Sequence, residues 1–457
     1  MTSDAVGLEI VSRVTGYKVR KGNFAPNSPN LPQRIIILGE GNQADQATMP
    51  IDTETEITSA KQAGEQFGFG SPIHSVMRIL RPPSGGGVGG IPTIVIAQAV
   101  AAGATGRQVD ITPSGTATGT GTHTVVIAGR TGLDGVSYDF VVNEGDTVAD
   151  VCDAITAAIN GVLSSPASAA DNTTDVQVSS KWKGLTSQDL EVEVKTNGFD
   201  IGITYATAQA VAGSGTPSIS TGLNLFENDG NTIVVNCYGT VTSIMDALEA
   251  FNGIADPETP TGRYAGTIFK PFVAFTGSTA DDPSSITDTR KNDMTISIAP
   301  APGSDGLPYE AAANVAVLEA PLAQNNPHLD TAGQAYPDMP TPEGSIGTMA
   351  DFTNRDAIVK KGCSTVDKVG GRYVIQDLVT TYHPVGEVVP QFRYVRNLIV
   401  DWNIRFKYRV KEEIHVDDHV ITSDSTTVDA PKVIKPKGWK AILANFADEL
   451  ALDALQE

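Results

Sequence analysis

The sequence has little charge, few aromatic residues and only three cysteines, and each shortage argues against a class of protein. Charged residues make up 19% and aromatic residues 6% of the 457 positions. Lys and Arg number 32 against 53 Asp and Glu, a net charge of −21, which argues against a general basic face for DNA or RNA. Cys152, Cys237 and Cys363 are scattered and odd in number, which suits a reducing compartment better than a disulfide framework.

Long apolar runs are also missing. The first residues, MTSDAVGLEIVSR, contain no apolar signal core, and no run approaches the length that spans a membrane. We therefore expect no direct membrane insertion. We expect a protein made and used in a cytoplasm, or assembled there before release.

Short apolar runs alternate with amphipathic stretches, which indicates a mixed α/β core. The two parts of this core are expected at 33–98 and 225–410. Buried strands are predicted at 33–41, 91–100, 231–239, 267–275 and 294–300. Helices are predicted near 54–66, 72–81, 283–292, 308–323, 351–362 and 391–410, and a hairpin is predicted to turn at Gly370-Gly371.

Residues 99–224 differ from this core and predict an inserted, mostly β outer domain. They are rich in Gly, Thr, Ser and Ala, and the stretch 99–222 has 5 Lys or Arg against 13 Asp or Glu, a net charge of −8. THTVVIAG and VSYDFVVNEGD resemble a hairpin, and TVADVCDAITAAINGV is a helix pattern that Asp146 or Thr147 caps. Extended arms are expected at both ends, at 1–32 and at 411–457, with a last helix near 438–455.

The stretch FGFGSPIHSVMRILRP (67–82) raises the possibility of a nucleotide site, because glycines that open a helix often cradle a phosphate. A Walker loop needs Lys-Ser/Thr after its glycines, whereas Pro72-Ile73 follow here. A dinucleotide turn follows a strand directly, whereas a helix precedes this one. The pattern favours a helix–helix corner, with Ser71 as N-cap and Pro72 in the first turn.

No convergent catalytic set is visible, so we expect no enzyme, no cofactor and no metal. His415 and His419 stand at i, i+4 spacing, but the segment alternates like a strand and offers no obvious third ligand. Cys152 and Cys237 fall on apolar faces and are interpreted as core residues. The run GTATGTGT (115–122) is interpreted as a flexible loop, with sugar binding through backbone groups as the alternative.

Two basic islands stand out in the acidic chain. For the first, a solvated helix face and a docking surface remain equally open; it contains Arg393, Arg396, Arg405, Lys407, Arg409 and Lys411. The second is denser and has no acidic residue from 430 to 447; it contains Lys432, Lys435, Lys437 and Lys440. We interpret the second as a docking surface for an acidic partner.

Several segments, in their order and spacing, resemble the contractile tail sheath proteins of the Mu-like phage branch. They are VTGYKVRKGN…LPQRIIILGEG, AGEQFGFGSPIHSVMRILRP, GTHTVVIAGR…GDTVADVCDAITAAIN, TDTRKNDMTISIAP, YVIQDLVTTYHP and VIKPKGWKAILANFADEL. The resemblance covers nearly the whole chain. It departs at DAPKVIKPKG, where related chains run more directly into the final helix.

The resemblance implies a virion structural protein that stacks as six-fold rings around an inner tail tube. The extended sheath would be metastable, and a baseplate signal would trigger it to shorten and drive the tube through a cell envelope. The implied partners are other copies of the chain, the tail tube protein, and baseplate and tail terminator proteins. The implied place is the virion tail sheath, assembled in the host cytoplasm, of either an infectious phage or a phage-derived injection device.

The residues suggest how such copies join. Residues 8–20 have strand alternation and are expected to pair with a neighbour, with a partner strand from about 411–434. The arm residues are Leu8, Ile10, Val14, Tyr17 and Val19. Lys432, Lys435, Lys437 and Lys440 are expected to hold the tube. The alternative function is a virion surface protein whose Gly/Thr-rich β insert binds host glycans.

Overall fold

The computed structural model describes residues 29–227, 229–255, 258–265, 269–386, 391–453 and 455. The strands are β1 (Ile35–Gly39), β2 (Glu54–Glu56), β3 (Thr93–Ala97), β4 (Gln108–Gly115), β5 (Gly121–Ile127), β6 (Gly132–Leu133), β7 (Val136–Ser137), β8 (Asp139–Val142), β9 (Ala167–Asp171), β10 (Val176–Ser180), β11 (Val192–Lys195), β12 (Ile203–Val211), β13 (Ile233–Asn236), β14 (Val273–Ser278), β15 (Ile296–Pro300), β16 (Thr365–Val369), β17 (Arg372–Asp377), β18 (Val420–Ile421) and β19 (Val433–Ile434). The α-helices are α1 (Ala60–Phe67), α2 (Pro72–Leu80), α3 (Val148–Asn160), α4 (Ser220–Asn224), α5 (Thr242–Asn252), α6 (Ser284–Thr287), α7 (Pro308–Asn325), α8 (Phe352–Lys360), α9 (Val395–His415) and α10 (Pro436–Leu452). The expected mixed α/β class is confirmed.

The core is a six-stranded sheet in the order β15-β14-β13-β1-β3-β2. Its first five strands run parallel, and β2 pairs antiparallel with β3 at one edge. All residues of β1, β3, β13, β14 and β15 are buried, as the continuous apolar runs predicted. The sheet therefore combines strands from both sides of the long stretch between β3 and β13.

That long stretch forms two antiparallel sheets of its own. One has the order β12-β4-β10-β9 and the other the order β11-β5-β8, and α3 packs against strands of both. The expected pairing of THTVVIAG with VSYDFVVNEGD occurs as the antiparallel pair of β5 with β8. Thr147, rather than Asp146, caps α3, since its side chain accepts from the Asp150 amide in a capping box.

Two predicted helices are wrong in extent. In 54–66, residues 54–56 form β2 because they pair along β3, and α1 begins only after Ser59, whose hydroxyl accepts from the Gln62 amide at 3.2 Å. In 283–292 the helix is confined to α6, and Arg290 beyond it forms ion pairs with Asp246 and Glu249. In both places tertiary contacts prevail over local propensity.

The predicted hairpin at Gly370-Gly371 is confirmed. β16 and β17 pair antiparallel, and the two glycines have φ of 59° and 75°, as a type I′ turn requires. α8 packs beside β16, and β16 lies beside β15 at the edge of the core sheet. The hairpin and α8 thus extend the core beyond β15.

The chain divides into two compact units, and residues 404–453 belong to the second of them. In this unit α10 packs on the end of α9 through two ion pairs of buried lysines, Lys407 with Asp453 at 2.5 Å and Lys411 with Glu449 at 2.9 Å. The ring of Tyr408 contacts Trp439. The segment 411–415 is helical, so the expected partner strand from 411–434 is wrong in this part, and the strands there are β18 and β19.

The stretch between α1 and α2 is a tight corner. Gly68 and Gly70 have φ of 89° and 83°, a backbone conformation that favours glycine. A Cβ atom at Gly70 would lie 1.9 Å from the carbonyl oxygen of Ser165. Lys181 joins the two sides of this contact, because its ammonium donates to the carbonyls of Phe69 and Leu163.

We expect Gly70→Ala to destabilise the protein by several kcal/mol, because it combines an unfavourable φ with a backbone clash. Gly85→Ala is the matched control: Gly85 has φ of 88° but nothing within 4 Å of a Cβ, so only the conformational cost of about 1–2 kcal/mol applies. The measurement is the free energy of unfolding in denaturant. Equal losses in the two variants would contradict the close contact with Ser165.

Candidate functional site

The glycine corner is a packing element rather than a phosphate site. The amide of His74 donates to the Ser71 hydroxyl at 3.1 Å, and the amide of Gly70 donates to Nδ1 of His74 at 3.1 Å. These amides at the start of α2 are therefore occupied by the corner's own side chains. The predicted helix–helix corner, with Ser71 as its N-cap, is confirmed.

The candidate nucleophiles lie in the core. All three cysteines are buried, and burial raises the pKa of Cys152 to about 11 and that of Cys237 further still. A thiol is reactive as the thiolate, so these side chains are poor nucleophiles near neutral pH. They behave as apolar core residues.

The Gly/Thr run at 115–122 has its backbone engaged within the inserted stretch. Ala117 donates to the Asp146 carbonyl at 3.1 Å, and Thr118 donates to the Ile201 carbonyl at 2.8 Å. Backbone groups that already have partners offer less to a sugar, so this run gives the glycan alternative little support.

His415 and His419 do not form a pair on one helical face. α9 ends at His415, and the ring of His419 lies 3.0 Å from the carbonyl of Asp417. Burial lowers the pKa of His415, and nearby Lys411 and His419 add to this effect. Across the described residues, no three His, Cys, Asp or Glu side chains are grouped in a way that could hold a metal ion.

Three side chains of the first basic island, Lys407, Arg409 and Lys411, are paired inside the second unit. Lys407 and Lys411 form the buried ion pairs with α10, and Arg409 pairs with Glu412, Glu413 and Asp417. Charges matched in this way leave little for a partner. The local ion pairs therefore account for this part of the island better than a docking surface does.

The second island is an exposed surface around the start of α10. Lys432 lies 3.6 Å from Asp418, Lys435 donates to the Thr426 carbonyl at 2.7 Å, and Lys437 and Lys440 are exposed. Lys435 and Lys437 stand at the positive end of the helix dipole, where cations are unfavourable. Helix stability therefore does not account for the position of these two lysines.

Next to these lysines, β18 and β19 form an isolated parallel pair. Val420 donates to the Lys432 carbonyl at 2.9 Å and Thr422 to the Ile434 carbonyl at 3.1 Å. The N–H of Ile421 therefore points to the opposite edge. Val420 and Ile421 are 64% and 69% exposed, and no third strand pairs here within the described part of the chain.

Among the described residues this pair has only two strands, and a two-stranded ribbon is marginally stable in water. Exposed strand edges are templates for pairing with another chain. The predicted arm residues Leu8, Ile10, Val14, Tyr17 and Val19 lie outside the described residues.

Sequence reasoning missed a buried carboxyl group at the end of β1. Glu40 is 2% exposed, and neither of its oxygens has a hydrogen-bonding partner among the described residues. A side chain at Gly184, in the inserted stretch, would reach within 3.4 Å of Glu40 Oε2. The signal was present in the sequence, since a charged residue directly follows the apolar run IIILG.

A scan against protein-family models and a search of curated proteins find no match. Among solved structures the chain is similar to the sheath tail protein of Desulfitobacterium hafniense, at 13% identity and a TM-score of 0.44, over 96% of this chain and 89% of that one. It is also similar to a sheath tail protein of Listeria innocua, at 12% identity and 0.42, over 93% and 86%. A chain of an anti-feeding prophage baseplate matches at 12% and 0.34, over 51% and 56%. None of these similarities specifies a function for this chain.

No helix in the described ranges is both long and apolar enough to cross a bilayer.

Glu40 predicts a pH dependence of stability. Burial raises its pKa from 4.5 to about 8, so the folded state holds a proton that the unfolded state releases above pH 4.5. The contribution of Glu40 to the free energy of unfolding should therefore fall by about 1.4 kcal/mol per pH unit between roughly pH 5 and 8. Glu40→Gln should remove this fall and be the more stable form at pH 8.

The measurement is denaturant unfolding of Glu40→Gln and the parent chain at several pH values. Glu144→Gln, at an exposed position, is the control and should follow the parent. Parallel pH curves for Glu40→Gln and the parent would show that the carboxyl group is ionised in the fold.

Proposed function

We propose that this chain is the structural subunit of a contractile tail sheath. In this proposal, copies stack as six-fold rings around an inner tube and shorten on a baseplate signal to drive the tube through a cell envelope. The observation that carries it is the strand pair β18–β19, which has no third strand among the described residues and has an exposed edge that can accept a strand from another chain. The sequence segments that resemble tail sheath proteins, in their order and spacing, support the same function.

Strand exchange gives such an assembly its mechanical continuity. In the proposal, residues 8–20 of one copy add to the exposed edge of β18 or β19 in a neighbour. The backbone hydrogen bonds formed there do not depend on the relative orientation of the subunit bodies. Linked in this way, the bodies rotate during contraction while the chains stay joined.

The lysine surface is the proposed contact with the tube. In a chain of net charge −21, the surface containing Lys432, Lys435, Lys437 and Lys440 attracts an acidic partner, whereas most of the protein repels one. An exposed ionic contact is weak and screened by salt, which suits a bond that must break when the sheath shortens.

The remaining features fit a structural role. In the proposal the sheath is virion-associated and assembled in the host cytoplasm. The parts 33–98 and 225–410 form its core, 99–224 lies on the outside, and 411–457 forms the C-terminal arm and helix. The energy of contraction is stored at assembly, so the mechanism needs no hydrolysis. Baseplate and tail terminator proteins would bind the two ends.

We expect Ile421→Pro or Val433→Pro to abolish formation of helical tubes, as seen by electron microscopy of the purified full-length chain. Each proline removes an outward N–H from one edge of the pair, while the inward bonds of Val420 and Thr422 remain. The matched controls Ile421→Val and Val433→Ile retain the N–H and should assemble. Normal tubes from both proline variants would contradict strand addition.

Charge reversal tests the tube contact. In the parent, co-sedimentation of assembled sheath with the tube protein should weaken as the salt concentration rises. Changing Lys432, Lys435, Lys437 and Lys440 to Glu should prevent this co-sedimentation and leave no salt-sensitive binding. The control reverses four lysines elsewhere, Lys195, Lys291, Lys360 and Lys361, for the same change in net charge. Equal binding by the two variants would show that the tube binds another surface.

A further inference from the structure

The strand β12 leaves one edge of the inserted four-stranded sheet open. It stands at the end of the order β12-β4-β10-β9 and pairs only with β4 among the described residues. Its pairing is regular from Ile203 to Gln209, and a bulge follows. A long edge of this kind presents a row of unpaired N–H and C=O groups, which is a template for a further strand.

The register identifies the residues of β12 that face the open edge. Ser180 donates to the Arg107 carbonyl at 2.9 Å, so the odd-numbered residues of β4 turn their backbone groups toward β10 and the even-numbered ones toward β12. The even-numbered residues of β4 lie opposite even-numbered residues of β12. The N–H and C=O groups of Tyr205, Thr207 and Gln209 therefore point away from the sheet.

The opposite edge of the same sheet is closed. The carboxamide of Asn160, at the end of α3, donates to the Ala169 carbonyl of β9 at 2.9 Å and accepts from the Ala169 amide at 3.0 Å. A side chain thus occupies the place that another strand would take. Within the described part of the chain, no residue outside β4 covers the outward backbone groups of β12 in this way.

Side chains hold the open edge in a fixed position. The hydroxyl of Tyr205 lies 2.6 Å from Nδ1 of His123 on β5, and its ring packs edge-on against Phe140 of β8 with centroids 6.1 Å apart. The side chain of Gln209 accepts from that of Gln188 at 2.6 Å. Because these contacts order β12 before any partner binds, the addition of a strand costs little further conformational entropy in β12.

The absence of charge around β12 allows two acidic copies to approach each other there. No residue from 201 to 226 is charged, whereas the chain carries a net charge of −21. The one charged residue of β4 is Asp110, opposite Ala208. In two sheets joined through β12, the two Asp110 residues would be three strand spacings apart, about 14 Å, which exceeds the screening length of about 8 Å in physiological salt.

The order of residues along β12 favours a second copy of β12 as the partner. Around Thr207 the sequence is nearly symmetric, with an alanine on each side and then an uncharged polar residue, Tyr205 or Gln209. In an antiparallel pair centred on Thr207, threonine lies opposite threonine, Ala206 opposite Ala208, and Tyr205 opposite Gln209. Outward residues then meet outward residues and exchange about six hydrogen bonds, and the Thr–Thr pair adds to the stability of the sheet.

We propose that two copies of this chain associate through their β12 strands, antiparallel about a two-fold axis at Thr207, so that the two inserted sheets become one continuous sheet. The contact is isologous, and a two-fold contact does not by itself close a six-fold ring. It therefore goes beyond the proposed sheath function and joins free chains, whether or not these chains later form rings.

A cysteine at the axis tests the contact. In the central pair the Cα atoms of the two Thr207 residues would be about 5.5 Å apart. A short bismaleimide should therefore link Thr207→Cys into a dimer on denaturing gels, since the three native cysteines are buried. The control is Thr204→Cys, exposed on the same strand; its two copies would be about 20 Å apart and should stay monomeric.

Two further variants measure the strength of the contact by analytical ultracentrifugation. Thr207→Lys places two ammonium groups opposite each other and should weaken dimerisation about tenfold. Thr207→Pro removes the outward N–H while the bonds to β4 remain, and it should abolish the dimer. Ala170→Lys adds the same charge at the closed edge on β9 and should dimerise as the parent does. All variants carry Ile421→Pro, so that the tubes of the proposed function do not form.

The outcomes separate this contact from the proposed function. A cross-link in Thr207→Cys but not in Thr204→Cys, together with weaker dimerisation of Thr207→Lys, would support the contact. A chain that stays monomeric and gives no cross-link would overturn it, and so would a dimer that Thr207→Lys leaves unchanged. Neither of these failures bears on whether the parent chain forms tubes, so the sheath proposal would still stand.

Discussion

The position of β1 in the middle of the core sheet is the constraint on which the rest of the structure depends. Ile35 to Leu38 pair with Thr93 to Ile96 on one side and with Ile233 to Asn236 on the other. The second pairing joins residues about two hundred positions apart and holds the ends of the inserted stretch at one sheet. These parallel strands are buried on both faces. A shift in their register would therefore leave backbone N–H and C=O groups without hydrogen-bonding partners in the core.

The inserted stretch is attached to this core by a polar contact as well as by its two chain connections. Arg130 reaches Glu310 on α7 at 3.1 Å and Asp338 at 2.6 Å. Trp182 packs edge-on against Tyr309 of the same helix, with ring centroids 5.9 Å apart. A buried charge network is costly to break, so we infer that the inserted sheets move with the core.

In the second unit, the helices and the strands differ in how their polar groups are satisfied. Lys407 and Lys411 bind α10 to the end of α9 through carboxylates, whereas β18 and β19 are left with exposed edges and exposed side chains. A helix pair satisfies its own backbone groups, but a strand pair does not. In the proposed sheath, this contrast makes the helices the fixed part of the unit and the strands the part that joins other copies.

The sequence by itself determined the class of fold, the buried strands, the helix–helix corner at Ser71-Pro72 and the turn at Gly370-Gly371, because each depends on local periodicity or on a residue's own backbone preference. The tertiary structure decided that residues 54–56 pair as a strand and that Lys407 and Lys411 form ion pairs with α10. It decided also that Glu40 is buried with no hydrogen-bonding partner among the residues that the structure describes. It also decided that the corner between α1 and α2 packs on the inserted stretch, at the Ser165 carbonyl and at Lys181. These features arise from contacts between residues far apart in the chain, whose partners are defined only when the strands and helices pack together.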